Sequence, residues 1–172
     1  LDGEAIVGMA ASSFAENGTT ILPSGYPYGR GRLLVYLSGL STELFEPIVF
    51  AIRLPSVLAG TASIFIVYLI GRDIDNWQVG MIAAALQSFS LLSIAWSRTA
   101  RFYALLQFFL LAGVWAYISL QKYIHVDYEA RRPVIAHPAK FVGFSVLTVL
   151  CTISAYYTHE GWILLPALFG LL

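Results

Sequence analysis

The chain has 172 residues, of which 58% are hydrophobic and only 12% are charged, and its mean hydropathy is +0.73. A soluble domain carries about 25% charged residues to cover its surface, so this composition excludes an ordinary soluble domain. Ten basic and ten acidic residues cancel to zero net charge, which excludes the basic surface that nucleic-acid binding needs. A single cysteine, Cys151, excludes a disulfide framework. The composition therefore predicts an integral membrane protein.

Residues 1–47 precede the first long apolar run and are predicted to form a loop outside the membrane. A short, partly amphipathic stretch ends at Asn17-Gly18, which is a turn signal. The segment 23–32 is rich in Pro, Gly and Tyr, and it cannot enter hydrocarbon because its backbone groups would be left unpaired there. The next apolar segment, at residues 33–40, is too short to span a bilayer, so we predict a helix along the interface.

Four later runs are apolar on all sides and approach the length of about 20 residues that a transmembrane helix needs. They cover residues 48–70, 79–97, 102–120 and 141–158, and a fifth run begins at Trp162. We therefore predict an all-α, polytopic transmembrane helical bundle, with an external first loop (1–47) that carries short interfacial helices and with transmembrane helices over 48–172. Because the chain starts without Met and stops inside an apolar run, we expect it to be part of a longer membrane domain.

The basic residues of the loops predict the orientation. The loop 121–140 has the densest basic residues of the chain, and the positive-inside rule places such a loop in the cytoplasm. Counting the spans backwards puts residues 1–47, the hairpin at 98–101 and the turn at 159–160 on the extracytoplasmic face. Arg98 and Arg101 then lie on the face that the rule disfavours, which indicates a role beyond topology.

Several charged residues are thereby predicted to share one membrane face. Arg53 lies inside the first apolar run, where an unpaired cation costs about 3 kcal/mol. Arg98 and Arg101 are three residues apart and share a face on a continuing helix, and paired guanidinium groups suit a phosphate. Simpler interpretations stay open: a snorkelling Arg53, interfacial anchors at Arg98 and Arg101, and plain loop charges at Asp2 and Glu4.

The sequence resembles the GT-C-type polytopic glycosyltransferases, specifically the superfamily of protein O-mannosyltransferases and bacterial lipid A aminoarabinose transferases. The resemblance is carried by Asp2-Gly-Glu-Ala5 with the following MAASSFAENG, by YPYGRGRLLVYL at 26–37, by AIRLPSVLAG at 51–60 and by SRTARFY at 97–103, with YYTHE at 156–160 as a looser match. The ordered set, and not any one motif, is specific. One departure is that Gly3 separates two acidic residues that are usually adjacent in the family.

This resemblance implies that a sugar is transferred from a polyprenyl-phosphate carrier to an acceptor hydroxyl on the extracytoplasmic face, with inversion at the anomeric carbon. A carboxylate would remove the acceptor proton, and arginines would offset the charge of the leaving phosphate. The implied site residues are Asp2 or Glu4 as the base, Arg53, Arg98 and Arg101 at the lipid phosphate, and His159 or Glu160 for orientation of the acceptor or phosphate.

No metal site is indicated by the residues, and the lipid-phosphate-linked sugar is expected as the donor substrate. The other expected partners are the lipid bilayer and an acceptor that is a protein, a lipid or a glycan, with no nucleic acid. The expected location is the plasma membrane, or the endoplasmic reticulum membrane in a eukaryote. The alternative is a non-catalytic polytopic protein, such as a transporter, a lipid-carrier flippase or a scaffolding relative, whose charges line a polar path.

Overall fold

A computed structural model describes residues 3–127, 132–135 and 137–158. Within these ranges the chain forms seven helices and one two-stranded hairpin. They are α1 (Gly3–Asn17), α2 (Arg32–Leu44), α3 (Ile48–Ile74), α4 (Trp77–Ser88), α5 (Leu91–Arg98), α6 (Tyr103–Gln121), β1 (Ile124–Asp127), β2 (Arg132–Ile135) and α7 (Pro138–Thr158). The predicted all-α class and polytopic bundle are confirmed. The fifth apolar run, at Trp162, lies outside the described residues.

The two short helices, α1 and α2, form where the sequence predicted them. α1 ends immediately before Gly18, which has φ 67°, the left-handed conformation that glycine commonly adopts after a helix. α2 begins after Gly31, which has φ 60°, and a Cβ on Gly31 would lie only 3.1 Å from Cδ1 of Phe102. The Ser38 hydroxyl donates a hydrogen bond to the carbonyl of Ile52 at 3.0 Å. These contacts hold α2 against α3 and against the start of α6.

Three helices, α3, α6 and α7, are long and apolar enough to cross a membrane. The predicted span 79–97 is instead divided between α4 and α5, which are bent by 61°. Ser90 caps α5 by accepting a hydrogen bond from the N–H of Ser93. The Ser93 Oγ accepts hydrogen bonds from the side-chain amides of Gln87 at 2.9 Å and Gln107 at 3.1 Å. Polar groups at the break are thus partnered by protein, as a break within hydrocarbon requires.

The helices α3 and α6 run parallel, and the bent pair α4–α5 therefore has to cross the bundle between them. At one end, Glu4 contacts Arg53 of α3 and the N–H of Ala100, just before α6. At the other end, Asp73 of α3 accepts a hydrogen bond from Nε1 of Trp115 in α6 at 3.1 Å. We refer to these as the Glu4 end and the Asp73 end. The chain leaves α3 at the Asp73 end and enters α6 at the Glu4 end, so α4 and α5 together make a full crossing.

A hairpin that the sequence analysis did not predict lies between α6 and α7. Its strands, β1 and β2, are antiparallel, with Ile124 opposite Ile135. Both strands of a two-stranded sheet are edge strands, which explains why Pro133 is tolerated in β2. The hairpin is a local addition to the helical bundle within the loop 121–140.

A buried apolar cluster fixes the Glu4 end. It consists of Val7, Ala11, Leu34, Ile52, Ala59, Ala100, Ala104 and Leu105. These residues come from α1, α2, α3 and α6 and from the turn before α6. Half of them are alanine, and small side chains allow membrane helices to approach closely. The first turn of α1 is thereby held against the starts of α3 and α6.

Candidate active site

The Glu4 carboxylate and the Arg53 guanidinium form a two-point ion pair. Nε of Arg53 lies 2.6 Å from Oε1 of Glu4, and Nη2 of Arg53 lies 3.1 Å from Oε2. Oε1 also accepts a hydrogen bond from the N–H of Ala100 at 3.1 Å. Two-point pairing of arginine with a carboxylate is among the stronger polar contacts in proteins. A single carboxylate therefore joins α1, α3 and the turn before α6.

The surroundings of Glu4 hold the pKa of its carboxyl below the ordinary value of 4.5. The largest cause is the hydrogen bond from Arg53, which lowers the pKa; burial acts in the opposite direction, and the N–H of Ala100 and the charges of Arg53 and Arg101 lower it further. A carboxylate whose oxygens are occupied and whose pKa is lowered is a weak proton acceptor. Its contacts suit a residue that positions Arg53.

The side chain of Arg101 occupies the space next to Gly3. A Cβ built on Gly3 would lie 2.7 Å from Nη2 of Arg101 and 2.9 Å from its Cζ. The backbone of Arg101 is fixed in turn, because the hydroxyl of Ser56 donates a hydrogen bond to its carbonyl at 3.3 Å. The guanidinium thus fills the space that a side chain at position 3, between Asp2 and Glu4, would occupy.

Two cavities adjoin this region, and each is lined by two arginines. The first has a volume of about 410 Å³ and is lined by Arg53, Arg98 and apolar residues of the first part of α3. The second has a volume of about 200 Å³ and is lined by Arg30 and Arg101, together with Gly3, Ile6, Val7, Tyr28, Phe102 and Tyr103. The three arginines that the sequence analysis grouped at one phosphate are therefore divided between two neighbouring cavities.

The family of the chain follows from its central segment. Residues 31–128, more than half of the chain, match the dolichyl-phosphate-mannose-protein mannosyltransferase family. The chain belongs to this family. The predicted resemblance is confirmed, and the protein is a membrane glycosyltransferase of the GT-C type. No curated protein and no solved structure matches the chain.

The segment that matches the family includes three of the arginines but not the acidic residues near the start of the chain. Arg53, Arg98 and Arg101 lie within the matched segment of the mannosyltransferase family, whereas α1 with Glu4 precedes it. The family resemblance of residues 2–18 therefore stays a prediction. The structure nevertheless connects the two parts, because Glu4 contacts Arg53 directly.

Arg30 lines one of these two cavities and is a candidate site residue that the sequence analysis missed. It lies in the Pro-, Gly- and Tyr-rich segment before α2, and no local sequence pattern indicates that this segment folds back onto Arg101. In the same cavity, burial raises the pKa of the Tyr28 hydroxyl, while the charges of Arg30 and Arg101 act in the opposite direction. Tyr28 is therefore a neutral hydroxyl at physiological pH, able to donate a hydrogen bond to a phosphate or sugar oxygen.

Three predicted site residues, Asp2, His159 and Glu160, lie outside the described residues, so their roles stay predictions. Within the described ranges, no group of three or more His, Cys, Asp or Glu side chains is placed to hold a metal ion.

Proposed function

We propose that the protein transfers a sugar from a polyprenyl-phosphate carrier, dolichyl or undecaprenyl phosphate, to an acceptor hydroxyl on the extracytoplasmic face, with inversion at the anomeric carbon. The observation that carries this proposal is the gathering of four arginines, Arg30, Arg53, Arg98 and Arg101, at one end of a bundle of apolar helices. Preorganised guanidinium groups stabilise the charge that grows on a phosphate as its sugar leaves. The neighbouring spans keep the prenyl chain in an apolar environment.

The reaction needs a proton acceptor, and the contacts of Glu4 favour Asp2 for that role. The Asp2 carboxylate would take the proton of the acceptor hydroxyl as the acceptor oxygen bonds to the anomeric carbon. The bond between that carbon and the phosphate oxygen breaks at the same time, and its electron pair stays on the phosphate. Attack from the side opposite the leaving phosphate inverts the anomeric carbon. Glu4 would position Arg53 beside this centre.

The two arginine cavities differ in what they offer the donor. The cavity of Arg30 and Arg101 also contains the hydroxyls and rings of Tyr28 and Tyr103, which suits a sugar attached to a phosphate. The cavity of Arg53 and Arg98 is otherwise apolar, and the charge of Arg53 is offset by Glu4. We therefore assign the glycosyl-phosphate headgroup to the cavity of Arg30 and Arg101. His159 and Glu160 keep their proposed role in orienting the acceptor or the phosphate.

The proposed face can be tested by labelling in intact cells. Ser24 and Lys140 are both exposed, and they lie in segments predicted on opposite sides of the membrane. In a Cys151→Ser background, a membrane-impermeant maleimide should label Ser24→Cys but not Lys140→Cys until the cells are opened. Labelling of Lys140→Cys alone in intact cells would place the Glu4 end in the cytoplasm and contradict the proposed face.

Turnover by the full-length protein tests the chemistry. Purified protein is supplied with dolichyl- or undecaprenyl-phosphate sugars and hydroxyl acceptors, and wild type is compared with Asp2→Asn, Glu4→Gln and Arg53→Ala. Loss of the base should lower kcat by about 100-fold or more, and Glu43→Gln, an exposed carboxylate of α2, serves as the control. Full turnover after both Asp2→Asn and Glu4→Gln would exclude the proposed base. Wild-type protein that turns over no lipid-phosphate sugar would favour the non-catalytic alternative.

A further inference from the structure

The cavity of Arg53 and Arg98 lies at the depth of the lipid headgroups. α3 has 27 residues and is therefore about 40 Å long, which matches the hydrocarbon core of a bilayer together with part of its headgroup layers. Arg53 follows Ile48, the first residue of α3, by five positions, which is about 8 Å along the helix. Arg98 is the last residue of α5 and lines the same cavity. Both guanidinium groups are therefore near the boundary between headgroups and hydrocarbon.

The close packing of α3 and α5 fixes Arg98 at this place. A Cβ on Gly60 would lie only 2.5 Å from Cβ of Ser97, the residue before Arg98. Val57, one turn before Gly60 on α3, lines the cavity together with Arg98. The backbone of Arg98 is thus held against α3, and its charge stays at the cavity.

Both guanidinium groups have N–H donors that no described residue uses. Arg53 pairs with Glu4 through Nε and Nη2, and its Nη1 bonds no described residue. Arg98 is exposed, and within the described ranges it makes neither a hydrogen bond nor an ion pair. The other described side chains of the cavity wall are apolar. A ligand of this cavity therefore needs oxygen acceptors for the guanidinium groups and apolar parts for the wall.

The charges at the cavity fit a phosphate group with one negative charge. Arg53 and Arg98 each carry one positive charge, and Glu4 carries one negative charge, so one positive charge is left over. A phosphodiester carries a single negative charge, whereas a phosphate monoester carries about −1.5 to −2 at pH 7. A phosphodiester therefore neutralises the cavity, and its oxygens can accept charge-assisted hydrogen bonds from both guanidinium groups.

We propose that this cavity binds the headgroup phosphate of an anionic membrane phospholipid, whose acyl chains follow α3 and α5 into the bilayer. Val57 and Phe65, two turns apart on α3, are both exposed, and so is Ile94, one turn before Arg98 on α5. The apolar wall of the cavity thus continues into a surface that suits acyl chains. A zwitterionic lipid would bring a further cation to a region that is already positive, so an anionic lipid is favoured.

The polyprenyl-phosphate donor also contains a phosphodiester, and its sugar distinguishes it. Sugar hydroxyls need acceptors as well as donors, but a guanidinium group only donates and the other described side chains of this wall are apolar. The cavity of Arg30 and Arg101 offers the hydroxyls of Tyr28 and Tyr103 instead. The phospholipid site therefore goes beyond the proposed function, and it does not depend on sugar transfer.

The test measures lipid binding to the full-length protein in neutral detergent by native mass spectrometry. Phosphatidylglycerol, an anionic phosphodiester lipid, and phosphatidylcholine with the same acyl chains are titrated separately. The first phosphatidylglycerol should bind about five-fold more tightly than the first phosphatidylcholine, the scale of one arginine beside an anionic headgroup. Arg98→Gln should abolish this preference. Arg32→Gln removes an exposed arginine at the same end that is not among the described lining residues of either arginine cavity, and it should keep the preference.

A second variant leaves both arginines in place. Val57→Glu adds a negative charge to the cavity wall and should abolish the preference for phosphatidylglycerol by repelling its phosphate. The melting temperature in detergent shows that each variant is folded. A preference that is as large in Arg98→Gln and Val57→Glu as in wild type would overturn the proposed site.

Two competitors distinguish the possible sources of the phosphodiester. Glycerophosphoglycerol, the headgroup without acyl chains, should not displace the lipid at equal concentration, and one-for-one displacement would show a site for soluble phosphate esters instead. A polyprenyl-phosphate sugar should bind alongside phosphatidylglycerol, and one-for-one displacement would assign this cavity to the donor and overturn the phospholipid site. A protein that shows the expected lipid preference but transfers no sugar would contradict the proposed function only.

Discussion

The guanidinium of Arg101 lies against the backbone of Gly3, so closely that a Cβ at this position would be 2.7 Å from Nη2. The atoms that approach Gly3 belong to the far end of a flexible side chain. A small side chain at position 3 is therefore accommodated by displacement of the guanidinium, at little cost to the fold. Gly3 thus provides a direct way to move Arg101 without removing its charge.

Gly3→Ala should raise the KM for the lipid-phosphate donor by about ten-fold, because Arg101 leaves the cavity in which we propose that it contacts the phosphate. The melting temperature should change little. Gly143→Ala, in α7, is the matched control, since a Cβ there meets nothing within 4 Å and both quantities should stay at the wild-type values. Equal KM values for wild type and Gly3→Ala would show that Arg101 does not bind the donor.

The ion pair of Glu4 and Arg53 should make a measurable contribution to stability. Its side chains are 19% and 43% exposed, respectively, so solvent screens part of the attraction and we expect a coupling free energy of about 1 kcal/mol. A double-mutant cycle with Glu4→Gln and Arg53→Gln, followed by unfolding in detergent, measures this coupling. Strictly additive effects of the two substitutions would mean that the pair contributes nothing to the free energy of unfolding.

The stabilisation by Glu4 should depend on pH in a defined direction. The pKa of its carboxyl is lowered in the folded protein from the ordinary value of 4.5, so the unfolded state binds the proton more readily. The contribution is complete above about pH 4.5 and is lost as the pH falls through the lower, folded pKa. The difference in melting temperature between wild type and Glu4→Gln should therefore be constant from pH 8 to about pH 5.5 and shrink below pH 4.5. A difference that shrinks already near neutral pH would contradict the lowered pKa.

The contact between α3 and α4 should be intolerant of even one methyl group. A Cβ on Gly80 would lie 2.6 Å from the carbonyl oxygen of Tyr68, which is backbone and cannot swing away. Gly80→Ala should therefore lower the free energy of unfolding by about 1–3 kcal/mol, as measured by thermal unfolding in detergent, whereas Gly143→Ala should not. Unchanged stability of Gly80→Ala would mean that the two helices are farther apart than described.

The fold was predictable from the sequence where length and apolar character decide it. The long apolar runs became α3, α6 and α7, and the turn at Gly18 ended α1 as expected. The break between α4 and α5 was missed because the segment is apolar on both sides of the break, so its composition predicts one continuous span. The cluster Gln87-Ser88-Phe89-Ser90 was the available signal, since Ser90 caps α5 and Gln87 bonds Ser93.

The site was predictable in its residue types and less so in its pairings. Arg53 was singled out because a cation inside an apolar run needs a partner, and the structure supplies Glu4. The choice of that partner depends on how α1 packs on α3, which no local pattern encodes. Arg30 was missed for the same reason, because its place beside Arg101 arises from a loop that folds back.

Asp73 links α3 to α6 at the Asp73 end, as Glu4 links α3 to the residues before α6 at the Glu4 end. It accepts a hydrogen bond from Trp115 of α6 and lies 3.4 Å from Nζ of Lys122, while Glu4 ties α3 to the residues just before α6. Any sliding of α6 along α3 would have to break polar contacts at both ends at once. The two helices therefore behave as a fixed frame. Among the described hydrogen bonds, the bent pair α4–α5 has a single polar anchor to α6, at Ser93, so it is attached to this frame mainly by the close packing of Gly80 against α3.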